Sequence, residues 1–350
     1  VHVPDTLAQR FAALAALGLE RVDVVPVETE AFPVGRGAWK VIQTRPAMGT
    51  RVSITAVTGS QARAVEACGR AFDEMDRLIG LLNRYDSRSA LSDLNAAGRL
   101  DHPPPELRRV LEAAADVHRR SDGAFDVTVA PLLALFRERL AGPAAAEPDA
   151  AEIRGTLERI GARHVAVSRR RVTFAREGMA VTLDGIAKGQ IVDKMASVLD
   201  RCGVAQYLID AGGDIRTRGT REGRHPWTVA IRDPAGQGVY PELLQIEGGA
   251  VATSGSYEIH FDDDFAFHHI VDAATGRSPG VALSVSVRAP TALAADALAT
   301  TVFVMGPDAG IAFVDGLRGC GCLVVGRDGR QWKSRRWRSI PLTDGDEAGT

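Results

Sequence analysis

The sequence predicts an α+β fold of mixed, largely antiparallel sheets against which long helices pack. Two observations predict it. Apolar residues recur at helical spacing in a few long segments, and between these lie clusters of short segments that alternate or run apolar for only a few residues. Strands clustered in this way, with long helices between the clusters, favour segregated layers over a doubly wound sheet. No repeat at a fixed short period is present.

The elements follow in order. Residues 1–38 read as an N-terminal arm or helix: Thr6 to Leu19 carries Arg10 within an apolar run and lacks a cleavage site, so it is expected to be a short amphipathic helix. Residues 20–40 are rich in Val, Glu, Pro and Gly without steady periodicity and read as a connecting arm, with one folded domain over 39–340 and a tail at 341–350. Arg51 to Val57 alternates as a strand, and Val65, Cys68, Phe72, Met75, Leu78, Ile79 and Leu82 then mark a helix over Ala64 to Leu82. Pro103-Pro-Pro105 before Glu106 opens a helix to about Arg120, which Ser121-Asp-Gly123 stops. Ser121 to Pro131 is expected to be a turn and a strand ending at the proline, and residues 141–150 a surface insertion of loop composition. Val165-Ala-Val and Val172-Thr-Phe flank a basic turn as a hairpin, and Ile191, Val192, Met195, Val198, Leu199 and Cys202 stripe a helix closed by Gly203. Strands are expected at Tyr207 to Ile209, Trp227 to Ile231, Leu243 to Ile246, Ala250 to Thr253, His269 to Val271 and Ser284 to Arg288.

Composition excludes several classes. The 350 residues are 45% hydrophobic and 25% charged, ordinary for a globular protein with a sizeable core. Lys plus Arg (42) and Asp plus Glu (44) nearly cancel, so no global field points to nucleic acid or to an anionic membrane. The basic runs Arg169-Arg-Arg171 and Lys333 to Arg338 read as solvated strand ends or a tail. Four cysteines in so long a chain are no disulfide framework, and Cys320-Gly-Cys322 has no second pair or His cluster to complete a zinc site. No stretch approaches the roughly 18–20 apolar residues of a membrane span. The chain begins at Val1 rather than Met, and any export signal is expected upstream of it.

Asp296 is the only charge in the apolar stretch Ala292 to Met305, and Thr300 lies one helical turn beyond it. In a helix this spacing stacks carboxylate and hydroxyl on one face. A buried carboxylate needs a cation. A salt bridge to Arg or Lys is the commoner arrangement, whereas carboxylate, hydroxyl and backbone carbonyl form an oxygen set that suits Mg2+ or Ca2+.

The common nucleotide and hydrolase signatures are absent: no Gly-x-Gly-x-x-Gly follows a strand, and there is no Gly-x4-Gly-Lys-Ser/Thr, His-Glu-x-x-His or Gly-x-Ser-x-Gly. Two glycine-rich joints remain. Leu183-Asp-Gly-Ile-Ala-Lys-Gly189 leads into a helix, whose free N–H groups and dipole, with Lys188, would suit a phosphate, and Ala211-Gly-Gly-Asp214 follows an apolar strand. Taken singly, each is more often a tight turn. Thr253-Ser-Gly-Ser-Tyr257 reads as a polar loop, and His268-His-Ile-Val-Asp272 before Thr275-Gly-Arg277 as a hairpin with a histidine of ordinary structural type.

Taken in order, these pieces resemble the flavin transferases of the ApbE family, the FAD:protein FMN transferases. The resemblance rests on Ala47-Met-Gly-Thr50, Asp86-Ser-Arg-Ser-Ala-Leu-Ser-Asp-Leu-Asn95, Asp122 to Pro131, Gly185-Ile-Ala-Lys-Gly189, Ala211-Gly-Gly-Asp214, Thr253 to Tyr257, His269-Ile-Val-Asp272 with Thr275-Gly-Arg277, and Ala295-Asp-Ala-Leu-Ala-Thr300. It implies an ApbE or T-fold-like architecture and Mg-dependent transfer of FMN from FAD to a Thr or Ser hydroxyl of an acceptor protein, with release of AMP. It also implies Mg2+ held by the Gly185 and Ala299 carbonyls, Asp296 and Thr300; FAD contacts from Met48, Tyr85, Ala124, Phe125, Asp126, Thr182, Lys188 and Val271; and His269 as general base. A periplasmic location, or the outer face of the bacterial inner membrane, is expected on the same ground. Hydrolysis of FAD to FMN and AMP, or idle FAD binding, are the competing readings. One departure stands out. Many relatives read Asp-Leu-Gly/Ser-Gly-Ile-Ala-Lys-Gly where this chain has Thr182-Leu-Asp184-Gly185, so its carboxylate either restores an FAD contact or adds negative charge beside the metal.

Overall fold

The computed structural model describes residues 28–340 apart from 36, 141–144, 222, 233, 235–241 and 263. The expected helix at Thr6 to Leu19, the tail and part of the 141–150 insertion lie outside the described residues. Strand β1 (Glu28–Pro33) pairs with β2 (Trp39–Ala47), which turns through Met48-Gly49 into β3 (Thr50–Thr58). Both turn residues have positive φ, 51° and 71°, the handedness that matches the twist of paired strands. Helix α1 (Gln61–Leu82) is capped by Ser60 and buries Cys68, Phe72, Met75, Leu78 and Leu82. Next come α2 (Ala90–Ala97), β4 (Arg99–Asp101) and α3 (Pro105–Arg120) with its proline in the first turn. A 3-10 turn at Val127–Val129 feeds α4 (Ala130–Leu140); Asp149 and Glu152 form a capping box on α5 (Ala150–Leu157).

The second half starts with the expected hairpin, β5 (Val165–Val167) and β6 (Arg171–Phe174), and then α6 (Ala187–Arg201). Strands β7 (Gln206–Ala211), β8 (Asp214–Arg218), β9 (Trp227–Ile231), β10 (Glu242–Ile246), β11 (Gly248–Gly255) and β12 (Ala282–Ala289) follow. Helices α7 (Ala292–Met305) and α8 (Pro307–Asp315) precede β13 (Gly321–Gly326) and β14 (Gln331–Lys333).

Nine strands form one sheet in the order β1-β2-β3-β7-β8-β11-β12-β13-β14, antiparallel throughout. Its inward face is set by alternation and register: Val52, Ile54 and Ala56 of β3 lie opposite Ala211, Ile209 and Tyr207 of β7, all buried. Helices α1, α6 and α7 pack on this face in the main core. On the other face Ile215, Val251, Leu323 and Val325 meet Val229, Ile231, Leu244 and Ile246 of the β9–β10 hairpin. This is the α+β architecture that the clustered strands predict.

Four local expectations need correction. β1 lies inside the stretch read as a connecting arm; it is an edge strand with almost every residue exposed, so it has no buried face and no alternation to read. Ser121 to Pro131 contains no strand: Asp126 caps the 3-10 turn, and Pro131 sits in the first turn of α4, where a missing N–H costs nothing. His269 to Val271 is not a strand either, since only isolated bridges at His260↔His268 and Asp272↔Arg277 flank it. Thr253 to Gly255, read as loop, continues β11, because Ser286, Val285 and Ser284 of β12 pair with them.

Candidate active site

The site forms where α6 meets α7. At their crossing stands Gly189, where an added Cβ would lie 2.3 Å from the Ala292 carbonyl oxygen and 2.8 Å from Leu293 Cα. Only glycine allows this approach. The two helices cap one another: the Gly189 N–H donates to Asp296 Oδ2 at 2.9 Å, while Asp193 accepts from Ala292 N–H at 2.9 Å and Leu293 N–H at 3.0 Å. Asp296 is thereby fixed at the N-terminus of α6, where the helix dipole favours an anion.

Asp296 is buried. Burial, then the charge of Asp214, pushes its carboxyl well above the usual range, against the opposing pull of Lys188 and the Gly189 N–H. Lys188 does not neutralise it directly, because its Nζ pairs with Asp214 Oδ2 at 3.3 Å. Burial draws the Lys188 ammonium down, but Asp214, Glu258 and Asp296 outweigh this and hold it charged. Asp214 is pushed up by its own burial and drawn down by Lys188.

Thr300, one turn along α7, places its Oγ1 3.2 Å from Ser254 Oγ. The Gly185 backbone lies so close that a Cβ there would sit 2.8 Å from Thr300 Oγ1. Asp296, Thr300 and Gly185 thus line one cleft, and a carboxylate, a hydroxyl and a backbone carbonyl are the oxygen donors whose chemistry suits a hard divalent cation. Among the described residues no cluster of three or more His, Cys, Asp or Glu could hold a metal ion, so any cation at this site relies on neutral oxygens as well as on carboxylate.

Facing the helices is His269. Its Nδ1 lies 3.1 Å from the Ile259 carbonyl, which can only accept, so in the neutral ring Nδ1 carries the hydrogen and Nε2 keeps its lone pair. His268, fully buried, is held neutral with its pKa lowered to about 4, chiefly by burial; its Nε2–H donates to the Pro279 carbonyl at 3.1 Å.

One cleft is lined by Ala124, Phe125, Asp126, Thr182, Gly185, Lys188, His269, Val271, Asp296 and Thr300. Met48, Tyr85 and Ala299 do not line it. Met48 packs against the core from the β2–β3 turn, Tyr85 is largely exposed, and Ala299 is buried within an unbroken α7. The Asp126 carboxylate is taken up by the N–H groups of Thr128 at 2.8 Å and Ala162 at 2.9 Å, so it shapes the wall rather than facing a ligand. Thr182 donates its N–H to the Val127 carbonyl at 2.7 Å and accepts the Asp184 N–H on Oγ1 at 3.3 Å. Asp184 pairs with Arg84 at 2.9 Å, and that guanidinium also stacks 4.4 Å above the Tyr85 ring, so the displaced carboxylate has its own counter-ion.

Sequence reasoning did not single out Arg84, Asp193, Ser254 or Glu258 as members of this neighbourhood. Ser254 stood within a quoted motif, and Asp193 lies four residues beyond Gly189, a spacing that hints at a shared helix face. Arg84 and Glu258 gave no local signal.

The geometry agrees with the comparison of the chain against known families, where the model described as the ApbE family matches residues 48–324. The chain belongs to the ApbE family. An FAD:protein FMN transferase of Salmonella typhimurium is 28% identical over 97% of this chain and 99% of its own length. That of Treponema pallidum is 32% identical over 73% and 75%. Among solved structures, an ApbE protein of Thermotoga maritima superposes with a TM-score of 0.75 at 28% identity, covering 88% of this chain and 97% of that one. The flavin transferase ApbE of Vibrio cholerae gives 0.72 at 26%, over 89% and 98%.

Proposed function

We propose that this ApbE-family chain is an FAD:protein FMN transferase that moves FMN from FAD to a Thr or Ser hydroxyl of an acceptor protein and releases AMP. The observation that carries this reading is the convergence of Asp296, Thr300 and the Gly185 backbone at the N-terminus of α6, in one cleft with His269. Mg2+, held by Asp296, Thr300 and the Gly185 carbonyl, would neutralise the diphosphate and the charge developing on AMP.

The chain's own residues supply the rest. Lys188 and the positive end of the α6 dipole offer favourable potential to phosphate oxygens. Phe125 and Val271 give the cleft an apolar wall suited to a flavin ring. His269 Nε2 accepts the proton of the attacking hydroxyl as its oxygen bonds to the FMN phosphorus and the bond to the AMP oxygen breaks. We place the reaction in the periplasm or at the outer face of the bacterial inner membrane, as the family resemblance suggests.

The test incubates the chain with FAD, Mg2+ and a candidate acceptor subunit. Flavin fluorescence that stays on the acceptor through denaturing electrophoresis, and is lost with chelator, is the expected result. Free FMN and AMP with an unlabelled acceptor would overturn transfer in favour of hydrolysis.

A further inference from the structure

Lys188 lies among three acids, Asp214, Glu258 and Asp296, yet it pairs with the one that does not line the cleft. Its Nζ is 3.3 Å from Asp214 Oδ2, and among the described residues that oxygen accepts no hydrogen bond of good geometry beyond this ion pair. Asp214 is 2% exposed, too buried for the pair to be a surface accident.

Its position is rigidly set. Asp214 opens β8 directly after the Gly212-Gly213 turn, whose φ values of 68° and 101° suit glycine alone. A Cβ on Gly212 would fall 2.2 Å from Thr50 Oγ1, so this turn is pressed against the start of β3, and Asp210 Oδ1 accepts the Gly213 N–H at 2.9 Å. Two hairpins thus clamp the carboxylate from outside the helix pair.

An ammonium and a divalent cation compete for the same carboxylate. Lys188 lies in the first turn of α6 beside Gly189, whose N–H holds Asp296, so a lysine released from Asp214 has Asp296 within its field. We propose that Asp214 is a positioning residue that holds Lys188 away from Asp296 and so leaves the Asp296 carboxylate open to a divalent cation. This rests on the cation site of the proposed function and adds to it a reason for the Asp214–Lys188 pair.

The experiment measures Mn2+ binding to the full chain without FAD, by loss of the free-ion electron paramagnetic resonance signal. Variants are Asp214→Asn, Lys188→Met, the double variant, and Asp296→Asn. Asp214→Asn is expected to weaken Mn2+ binding by about tenfold or more, a coupling of ordinary size for a buried charge network. In the Lys188→Met background the same change should cost less than about threefold, because no ammonium is left to compete. Equal losses in both backgrounds, or no loss in either, overturn the proposal. If Asp214→Asn does not fold, as circular dichroism would show, Lys188→Met and the double variant still decide: a tenfold gap between them is fatal to it. Asp296→Asn separates the two levels, since undiminished Mn2+ binding there defeats the cation site itself.

Discussion

The two walls of the cleft are built from different interactions. The helical wall, α6 against α7, is held by backbone N–H groups, by carboxylates that cap each helix from the other, and by a glycine contact with no slack. The opposite wall, residues 256–281, has almost no regular structure among its described residues and is pinned by side chains bonding to backbone. Ser278 Oγ accepts the His268 N–H at 3.0 Å and donates to its carbonyl at 2.9 Å, His268 donates to Pro279, and Phe267 meets Phe136 edge-on at 5.0 Å. In the proposed reaction the stiff wall would handle charge and the stapled one proton transfer. The division suits the chemistry: a cation site tolerates little displacement, whereas a base must meet whatever hydroxyl an acceptor presents.

The largest effects should come from emptying each wall of its chemistry while leaving its structure alone. Asp296→Asn keeps an oxygen for the Gly189 N–H but removes the charge, so transfer should fall on the order of 10³-fold, equivalent to several kcal/mol of barrier. Without Mg2+ the variant should melt no lower than wild type, because a carboxyl held far above its usual range costs the fold energy when ionised. Calorimetric scans with and without Mg2+ check this; a thermal gain from Mg2+ that survives the substitution would sink the assignment. His269→Gln should lower transfer by roughly 10²-fold through loss of the base, with FAD affinity nearly unchanged. An equal loss of FAD binding in a fluorescence titration would make His269 a binding group instead.

How much of each wall was legible follows from the same contrast. Asp296 and Thr300 stood out because a lone charge in an apolar helix is a local anomaly, and the cleft does gather them. The α6 span was readable from helical periodicity, whereas α7 is apolar on nearly every side and stood out only as an apolar stretch in which helical spacing would stack Asp296 and Thr300. The irregular wall was misread as a strand at His269 to Val271, because Ile270 and Val271 are apolar and buried, Ile270 in the main core and Val271 against α4, without a ladder to pair them. The Asp214–Lys188 pair was invisible for another reason: it joins positions 26 apart along the chain, across α6, β7 and the Gly212-Gly213 turn, and no local pattern encodes that. The resemblance supplied the roles, while the geometry supplied the partners.

Glycine substitutions break the comparison at the level of packing. Gly189→Ala adds a methyl that meets backbone atoms, which cannot rotate aside, so the loss should be about 3 kcal/mol despite alanine's better helix propensity. On the irregular wall, Gly280 is exposed, has no positive φ, and an added Cβ there would meet nothing within 4 Å. Gly280→Ala should therefore be neutral or stabilising by roughly 0.5 kcal/mol, since it restricts only the unfolded chain. Urea unfolding compares the pair. Similar losses at both sites would mean that the two walls are equally tight.

The smallest predicted difference concerns acid. Burial, more than any neighbour, lowers the His268 pKa from 6.5 to about 4, against the opposing pull of the Pro279 carbonyl. A folded-state pKa below the unfolded one means that the unfolded chain binds the extra proton. The stabilisation is therefore complete above about pH 6.5 and is lost as the pH falls toward 4. The shift corresponds to roughly 3 kcal/mol, and it falls on the wall that depends on the neutral ring to hold Pro279 and Ile270. His268→Gln keeps a donor for the Pro279 carbonyl but cannot be protonated, so its urea midpoint should fall less steeply between pH 7 and pH 4 than that of wild type. Carboxylates elsewhere contribute equally to both chains, and the difference in slope isolates the histidine. Hydrogen exchange sharpens the test: near pH 5, amides of residues 267–271 should lose protection before those of α6 and α7, and simultaneous loss would show that the stapled wall unfolds only with the whole domain.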